Sequence, residues 1–226
     1  MMKIGVISGL SREVECFNKI PLQTRKFYTC SGVGPERAEK AARDFIDAGA
    51  TALMSFGVAG GLSEVASAGT VVLADAVING QQVYNTDKAW HSRLFSALWD
   101  KCPLITGLVA GMDRMVPTSS EKQELFKITK ALCCDMESHA MARVAASKQV
   151  PFSIIRAISD PYDRDVPSWV LRNLTPTGGV RITALSLQAL RRPSSWGKLA
   201  GLSRESNRAF KNLGRVALSL GPSLQF

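Results

Sequence analysis

Short apolar runs of strand length alternate with amphipathic segments of helix length between residues 3 and 158, and this alternation limits the possible folds more than any other feature. The short runs are rich in β-branched residues, and the longer segments carry apolar residues at helical spacing. Because helices cover both faces of a parallel sheet, its strands are apolar throughout, as these runs are. The sequence therefore predicts one α/β domain with a largely parallel, buried sheet. The predicted strands cover 3–8, 27–33, 51–56, 70–78, 104–110 and 152–158, and the predicted helices cover 11–17, 34–49, 90–101, 120–131 and 135–147.

Composition excludes several classes of protein. With 46% hydrophobic residues in 226, the chain is not disordered. No apolar run reaches the roughly 18 residues of a membrane-spanning helix, and the first residues have no apolar core of signal-peptide length. Five cysteines without a C-x-x-C pair and two histidines do not form a zinc pattern. We expect a cytoplasmic protein with reduced cysteines and no metal.

The net charge of +9 is concentrated near the C-terminus, where residues 191–226 hold seven basic side chains and one acidic. After residue 167 the sequence predicts helices over 168–174, 179–191 and 195–220. In the last of them, apolar residues from 199 to 220 share one side and four cations lie opposite: Arg204, Arg208, Lys211 and Arg215. We expect a domain over 1–192 and a basic helical tail over 193–226, packed on that domain or on a membrane surface. No aromatic-interleaved basic patch indicates nucleic-acid binding.

Three segments combine polar or flexible residues with predicted strand ends, where open α/β sheets bind ligands: 9–13, 57–61 and 159–160. The glycine-rich segment 57–61 lacks the Lys-Ser/Thr of a P-loop, and no dinucleotide fingerprint is present. Taken alone, its glycines favour a tight turn over a ligand cradle.

Two carboxylates each have two explanations. Asp160 follows an apolar strand, where burial can raise a pKa toward that of a general acid, but Ser-Asp-Pro is also turn chemistry. Glu137 can likewise have a functional role or a purely structural one, because it is expected in the first turn of a helix, where the helix dipole favours a carboxylate. His91 and His139 are expected to be structural or exposed. No G-x-S-x-G elbow supports serine hydrolase chemistry.

Several motifs occur together in the order seen in one family. The motifs are Lys3-Ile4-Gly5-Val6-Ile7 with Glu13 and Val14, Ser31-Gly32-Val33-Gly34, Gly57-Val58-Ala59-Gly60-Gly61-Leu62, Asp135-Met136-Glu137-Ser138, and Pro151-Phe152 through Arg156-Ala157-Ile158-Ser159-Asp160. In these motifs the chain resembles the purine nucleoside phosphorylase and methylthioadenosine/S-adenosylhomocysteine nucleosidase superfamily, over about residues 2–165.

This resemblance implies a twisted mixed sheet with a partly closed barrel, flanked by helices, and cleavage of a nucleoside N-glycosidic bond. It implies that Asp160 is the catalytic acid and that Glu13 orients a water molecule. Phosphorylases bind phosphate instead, and Gly9 and Arg12 are the candidates for that role here. Because Val58 and Ser55 replace residues that the family uses near the nucleophile, water and phosphate both remain open. The resemblance implies substrate binding by Met115, Val116, Met136, Glu137, Phe152, Ser159 and Gly60.

A narrower resemblance links 55–62, 174–176 and the arginine-rich C-terminal segment to the hopanoid-associated nucleoside phosphorylase group. It implies that adenine is removed from adenosylhopane, a lipid-linked adenine nucleoside, by an enzyme with peripheral membrane contact. No cofactor is implied, although inorganic phosphate could be a co-substrate, and a homo-oligomer is expected. The alternatives are a nucleosidase or phosphorylase for soluble nucleosides, and a non-catalytic protein that binds nucleosides or lipids.

Overall fold

The computed structural model describes residues 3–18, 28–167, 173, 175, 196–221 and 224. The helices predicted over 168–174 and 179–191 lie outside the described residues, apart from residue 173. The strands are β1 Ile4–Ser8, β2 Tyr28–Cys30, β3 Ala52–Gly61, β4 Val71–Asn79, β5 Gln82–Asn85, β6 Leu104–Gly111, β7 Cys133–Asp135 and β8 Phe152–Asp160. The helices are α1 Ser11–Val14, followed by a 3-10 turn Glu15–Phe17, α2 Pro35–Asp47, α3 Lys88–Leu98, α4 Ser119–Thr129, α5 Ser138–Lys148 and α6 Trp196–Leu220.

Five of the strands close into a barrel. β3 pairs with β8, β8 with β4, β4 with β6, β6 with β7, and β7 returns to β3. β1 and β2 extend the sheet from β3, and β5 extends it from β4. The mixed sheet with a barrel is therefore confirmed. The sheet is also largely parallel, as predicted: five of the eight strand pairings in the described residues are parallel. The antiparallel pairings join β7 to β3, and β4 to both β5 and β8.

The glycine-rich segment is part of a strand, so the predicted tight turn is wrong. β3 continues through Gly61 and pairs with β8 as far as Gly60 opposite Asp160. A Cβ atom at Gly57 would lie 2.5 Å from Oε1 of Glu13, and one at Gly61 would lie 2.7 Å from the carbonyl of Ala66. The glycines therefore allow close approach of neighbouring groups rather than a change of chain direction.

The apolar side of α6 packs into the core beside β8 and α3. The buried residues of this side are Ala209, Leu213, Val216, Ala217 and Leu220. The indole N–H of Trp90 in α3 donates to the carbonyl of Leu224 at 2.9 Å, which joins the end of the chain to the same core. The four predicted cations of α6 are exposed on its other side.

The C-terminal helix is expected to pack on the domain or on a membrane surface, and the described part of α6 packs on the domain. The domain boundary after residue 192 stays a prediction. Among the described residues, no helix has the length and apolar character needed to cross a membrane.

Replacement of Leu213 by alanine tests the contribution of α6 to the fold. Leu213 is fully buried, so Leu213→Ala should lower the free energy of unfolding by about 2–5 kcal/mol. Leu218 is 51% exposed on the same helix, and Leu218→Ala should cost less than about 0.5 kcal/mol. Urea denaturation measures both, and equal small losses would show that α6 does not stabilise the core.

Candidate active site

One cavity opens at the ends of β3, β7 and β8, beside the segment that leads into α1. Its polar wall contains four carboxylates, Glu13, Asp135, Glu137 and Asp160, together with Ser159. The rest of the wall is mainly apolar and includes Leu10, Val33, Val58, Met112, Met115, Val116 and Met136. Gly9 and Gly60 also line the cavity, so the structure brings together nine of the eleven site residues predicted from sequence.

Glu13 is held rigidly at the inner end of the cavity. The backbone N–H of Leu10 donates to its Oε2 at 2.8 Å, and the N–H of Val58 donates to its Oε1 at 2.7 Å. The side chain is buried, and this burial raises the pKa of Glu13 to about 7, against the opposing effect of the nearby Arg156 cation. A carboxyl with this pKa changes its charge near neutral pH and can act as a general base.

Arg156 lies in the middle of β8 and is the charged centre beneath the cavity. Its Nε is 2.5 Å from Oδ2 of Asp135, and its Nη2 is 3.8 Å from Oε2 of Glu137. The same Nη2 donates to the hydroxyls of Ser55 at 2.5 Å and Ser138 at 3.0 Å. The guanidinium is 1% exposed and therefore serves as a buried counter-charge for the carboxylates around it.

Glu137 is the residue that precedes α5, rather than part of its first turn. The expected helix start at 135 is wrong, because Cys133–Asp135 form the strand β7, which pairs with β3 and β6. The helix α5 therefore begins at Ser138. The N–H of Gly34 donates to Oε1 of Glu137 at 3.0 Å. Burial raises the pKa of Glu137, partly offset by Arg156. The helix dipole alone therefore does not explain this carboxylate, which faces the cavity.

Asp160 ends β8 and forms part of the cavity wall. A register shift between Ala59 and Gly60 brings Asp160 opposite Gly60 on β3. The hydroxyl of Ser159 donates to Oδ1 at 2.6 Å, and Nζ of Lys122 lies 2.6 Å from Oδ2. Burial raises the pKa of Asp160, and the Lys122 cation opposes this rise. The carboxyl is thus ion-paired on one side while it lines the cavity on the other.

Two predicted site residues lie outside this cavity, and both assignments are corrected. The guanidinium of Arg12 donates to Oδ1 of Asn207 at 2.8 Å and lies 4.1 Å over the ring of Phe210, and Arg12 lines a different groove with these two residues. Phe152 begins β8, about 26 Å along the strand from Asp160, and lines a separate groove with Tyr84.

The two histidines do not line this cavity, and each of them pairs with an aspartate. Nε2 of His139 lies 3.1 Å from Oδ1 of Asp113, and Nε2 of His91 lies 3.1 Å from Oδ1 of Asp75. Within the described ranges, no group of three or more His, Cys, Asp or Glu residues could hold a metal ion.

Sequence reasoning missed two functional candidates, Arg156 and Lys122. An arginine within an apolar β-branched run has to be paired when the strand is buried, so the run 152–158 already indicated a buried ion pair. Lys122 carries no comparable indication, because a lysine in a helix is ordinarily solvent-exposed.

Comparisons with known proteins agree with this fold. The family model described as the phosphorylase superfamily matches residues 15–185. A methylthioadenosine/S-adenosylhomocysteine nucleosidase from Neisseria meningitidis, solved with methylthio-immucillin-A, superimposes with a TM-score of 0.74 at 18% identity, covering 99% of this chain and 100% of that one. Futalosine hydrolase from Helicobacter pylori superimposes with a TM-score of 0.68 at 17% identity, covering 95% and 97%. A search of curated proteins found no match.

Removal of the buried cation tests the charge balance of the site. Arg156→Met leaves buried carboxylates uncompensated and should lower the free energy of unfolding by about 3–5 kcal/mol at pH 8. The loss should shrink toward pH 5.5, because Glu13 and Glu137 have raised pKa values and take up protons as the pH falls.

Arg143→Met is the matched control. The Arg143 side chain is 50% exposed in its ion pair with Glu39, so its loss should cost less than about 1 kcal/mol. Chemical denaturation at both pH values provides the comparison, and a penalty for Arg156→Met that does not depend on pH would contradict the assigned charge balance.

Proposed function

Because the chain belongs to the phosphorylase superfamily, we propose that it hydrolyses the N-glycosidic bond of an adenine nucleoside, with Asp160 as the acid and Glu13 as the base. The family match also confirms the prediction of an enzyme of the nucleoside phosphorylase and nucleosidase class. One observation carries the proposal: Asp160 and Glu13 line the same cavity, and most of its remaining wall consists of apolar side chains that can accept a purine.

The departing base needs a proton, because a purine anion is a poor leaving group. As the C1′–N9 bond breaks, its electron pair moves to the base, and the carboxyl of Asp160 can supply a proton to the imidazole ring. Asp160 suits this role because burial raises its pKa, which favours the protonated form, and Ser159 fixes one of its oxygens.

The sugar has a carboxylate and an apolar surface available. Glu137 can accept hydrogen bonds from ribose hydroxyls, and Met136 beside it offers a surface against which the ring can pack. The N–H of Gly34 fixes one oxygen of Glu137, and a Cβ atom at Gly9 would lie 2.9 Å from that same oxygen. The absence of a side chain at Gly9 therefore keeps this carboxylate accessible.

The charges around Glu13 favour water as the nucleophile. A phosphate ion would face the carboxyls of Glu13 and Glu137, while Arg156 is already surrounded by carboxylates and hydroxyls. Among the described cavity residues the one guanidinium is that of Arg114, and it lies 2.9 Å from Glu121. A water molecule can instead donate to Glu13, which then accepts a proton as the C1′–O bond forms.

The apolar wall also bears on the 5′ substituent of the substrate. Met112, Met115 and Val116 line the cavity, and Met115 is 37% exposed. These side chains support a nucleoside with an apolar 5′ group, which includes adenosylhopane and methylthioadenosine. We keep adenosylhopane as the proposed substrate, with peripheral membrane contact through the exposed basic face of α6. The homo-oligomer also stays a prediction.

The nucleophile and substrate can be tested in one assay of adenine release. Adenosylhopane, methylthioadenosine and adenosine are supplied with and without phosphate. We expect free adenine without phosphate, no stimulation by phosphate, and adenosylhopane as the best substrate. Strict dependence on phosphate would identify a phosphorylase. Binding of nucleosides without adenine release would favour the non-catalytic alternative.

Asp160→Asn tests the general acid. The amide cannot donate the proton to the leaving base, so the barrier should rise by about 2–4 kcal/mol, a loss of about 30- to 1,000-fold in kcat. Asp163→Asn provides the control because Asp163 is an exposed carboxylate in the following loop. Undiminished turnover by Asp160→Asn would remove Asp160 from its assigned role.

The raised pKa of Glu13 predicts how activity depends on pH. Glu13 has to be ionised to accept a proton from water, so kcat/KM should fall on the acid side with an apparent pKa near 7. Glu13→Gln should lower the rate strongly and abolish this acidic limb. Steady-state kinetics between pH 5 and pH 9 would detect both effects. Retention of the same limb in Glu13→Gln would assign it to another group.

A further inference from the structure

A lysine with a fully buried side chain lies behind the Asp160 carboxyl. Lys122 belongs to α4, and its side chain has 0% exposure. Its Nζ lies 2.6 Å from Oδ2 of Asp160 and 2.9 Å and 3.0 Å from the carbonyls of Arg164 and Pro161. The carbonyl of Asp160 is a more distant acceptor at 3.4 Å. These four acceptors all belong to residues 160–164, the end of β8 and the loop that follows it.

This arrangement is specific, because a buried ammonium is costly unless its charge is compensated and its N–H groups are bonded. Three carbonyls and one carboxylate meet both needs here. The ammonium therefore holds the end of β8 and the following loop against α4. Lys122 does not line the cavity itself, and among the described residues that accept its hydrogen bonds, Asp160 is the one in the cavity wall.

The other groups facing this pair are few and come from three elements. On β8, the Ser159 hydroxyl donates to the second oxygen of Asp160. From α6, Glu205 raises the pKa of Asp160 by repulsion, although Arg164 pairs with Glu205 at 2.7 Å. From β7, the thiol of Cys134 is neutral, since burial raises its pKa far above the usual range. Lys122 is thus the cation paired directly with the Asp160 carboxyl in the described structure.

We propose that Lys122 is a positioning residue for N-glycosidic cleavage: its ammonium fixes the Asp160 carboxyl in the cavity wall and compensates the negative charge that Asp160 acquires when it protonates the departing base. This inference rests on the proposed function.

In the proposed reaction, Asp160 becomes negatively charged when it gives up its proton. The O–H bond of Asp160 breaks, its proton bonds to a ring nitrogen of the base, and its electron pair remains as carboxylate. The base takes the electron pair of the C1′–N9 bond. Without the Lys122 ammonium at 2.6 Å, the new carboxylate would be buried and repelled by the negative charge of Glu205. Among the described side chains, the Ser159 hydroxyl would then be its hydrogen-bond donor. The ammonium of Lys122 offsets that charge.

Neutral replacements of Lys122 test this role. Lys122→Met removes the charge, and Lys122→Gln removes the charge but keeps N–H donors for the loop carbonyls, so it serves if Lys122→Met does not fold. Because an adjacent cation favours the carboxylate, its loss should move the alkaline limb of the kcat profile to higher pH by at least about one pH unit. At the pH optimum, kcat should fall about 10- to 100-fold with little change in KM.

Lys127→Met is the control, since the Lys127 side chain is 70% exposed on the same helix. This substitution should leave both the rate and the pH profile unchanged. Near-ultraviolet circular dichroism shows which variants are folded. A folded, slower Lys122 variant with an unmoved alkaline limb would indicate a purely structural lysine and contradict the proposal.

A double-mutant cycle separates action through Asp160 from independent action. In an Asp160→Asn background, the further change Lys122→Gln should alter kcat by less than about threefold, because the charge that Lys122 compensates no longer forms. Multiplicative losses would contradict the proposal. Wild-type protein that releases no adenine from any nucleoside would contradict the proposed function, whereas an active wild type with an unmoved limb in the Lys122 variants contradicts only the role of Lys122.

Discussion

The buried guanidinium of Arg156 is the interaction on which the rest of the site depends. Arg156 reaches the interior because β8 is inserted between β3 and β4 and completes the barrel. Asp135, at the end of β7, forms the close ion pair, and Glu13 and Glu137 lie within the influence of the same cation. Three carboxylates from two distant parts of the chain can therefore be buried together near one cavity. Without this cation each would carry an uncompensated desolvation cost.

The same barrel gives its two principal carboxyls different surroundings. Glu13 accepts two backbone N–H groups, and burial brings its pKa to about 7, near the value useful to a base. Asp160 is fixed by Ser159 and by Lys122, a cation supplied from a helix outside the barrel. Separate control of two acidic groups by their environments is how one site can hold both an acid and a base. Here Arg156 acts on Glu13, and Lys122 acts on Asp160.

Much of this fold could be predicted from the sequence, but the short strands, the strand directions and the start of α5 could not. The apolar runs gave β1, β4, β6 and β8 closely because each is long enough to show its pattern. β7 has three residues, and β5 has four that are mostly exposed, so neither carries a recognisable period. Strand direction is also absent from such patterns, so the antiparallel pairs could not be foreseen. Because the three residues of β7 show no recognisable period, the sequence predicts the start of α5 too early and places Glu137 inside the helix.

The site was predictable where motifs place residues at strand ends, as for Glu13, Glu137 and Asp160. Arg12 could not be judged from sequence, because its partners Asn207 and Phe210 come from a helix almost 200 positions later. Lys122 was hidden for a similar reason: its partners lie about 40 positions away on another element. Long-range pairing of charged side chains depends on tertiary contacts that local patterns do not encode.

A crystal structure of the wild-type protein with adenine and phosphate tests the central claim most directly. We predict adenine between the apolar side chains of the cavity, with a ring nitrogen within about 3.2 Å of an Asp160 carboxyl oxygen and a water molecule bound to Glu13. Adenine outside this cavity, or a phosphate ion seated against Glu13, would contradict it.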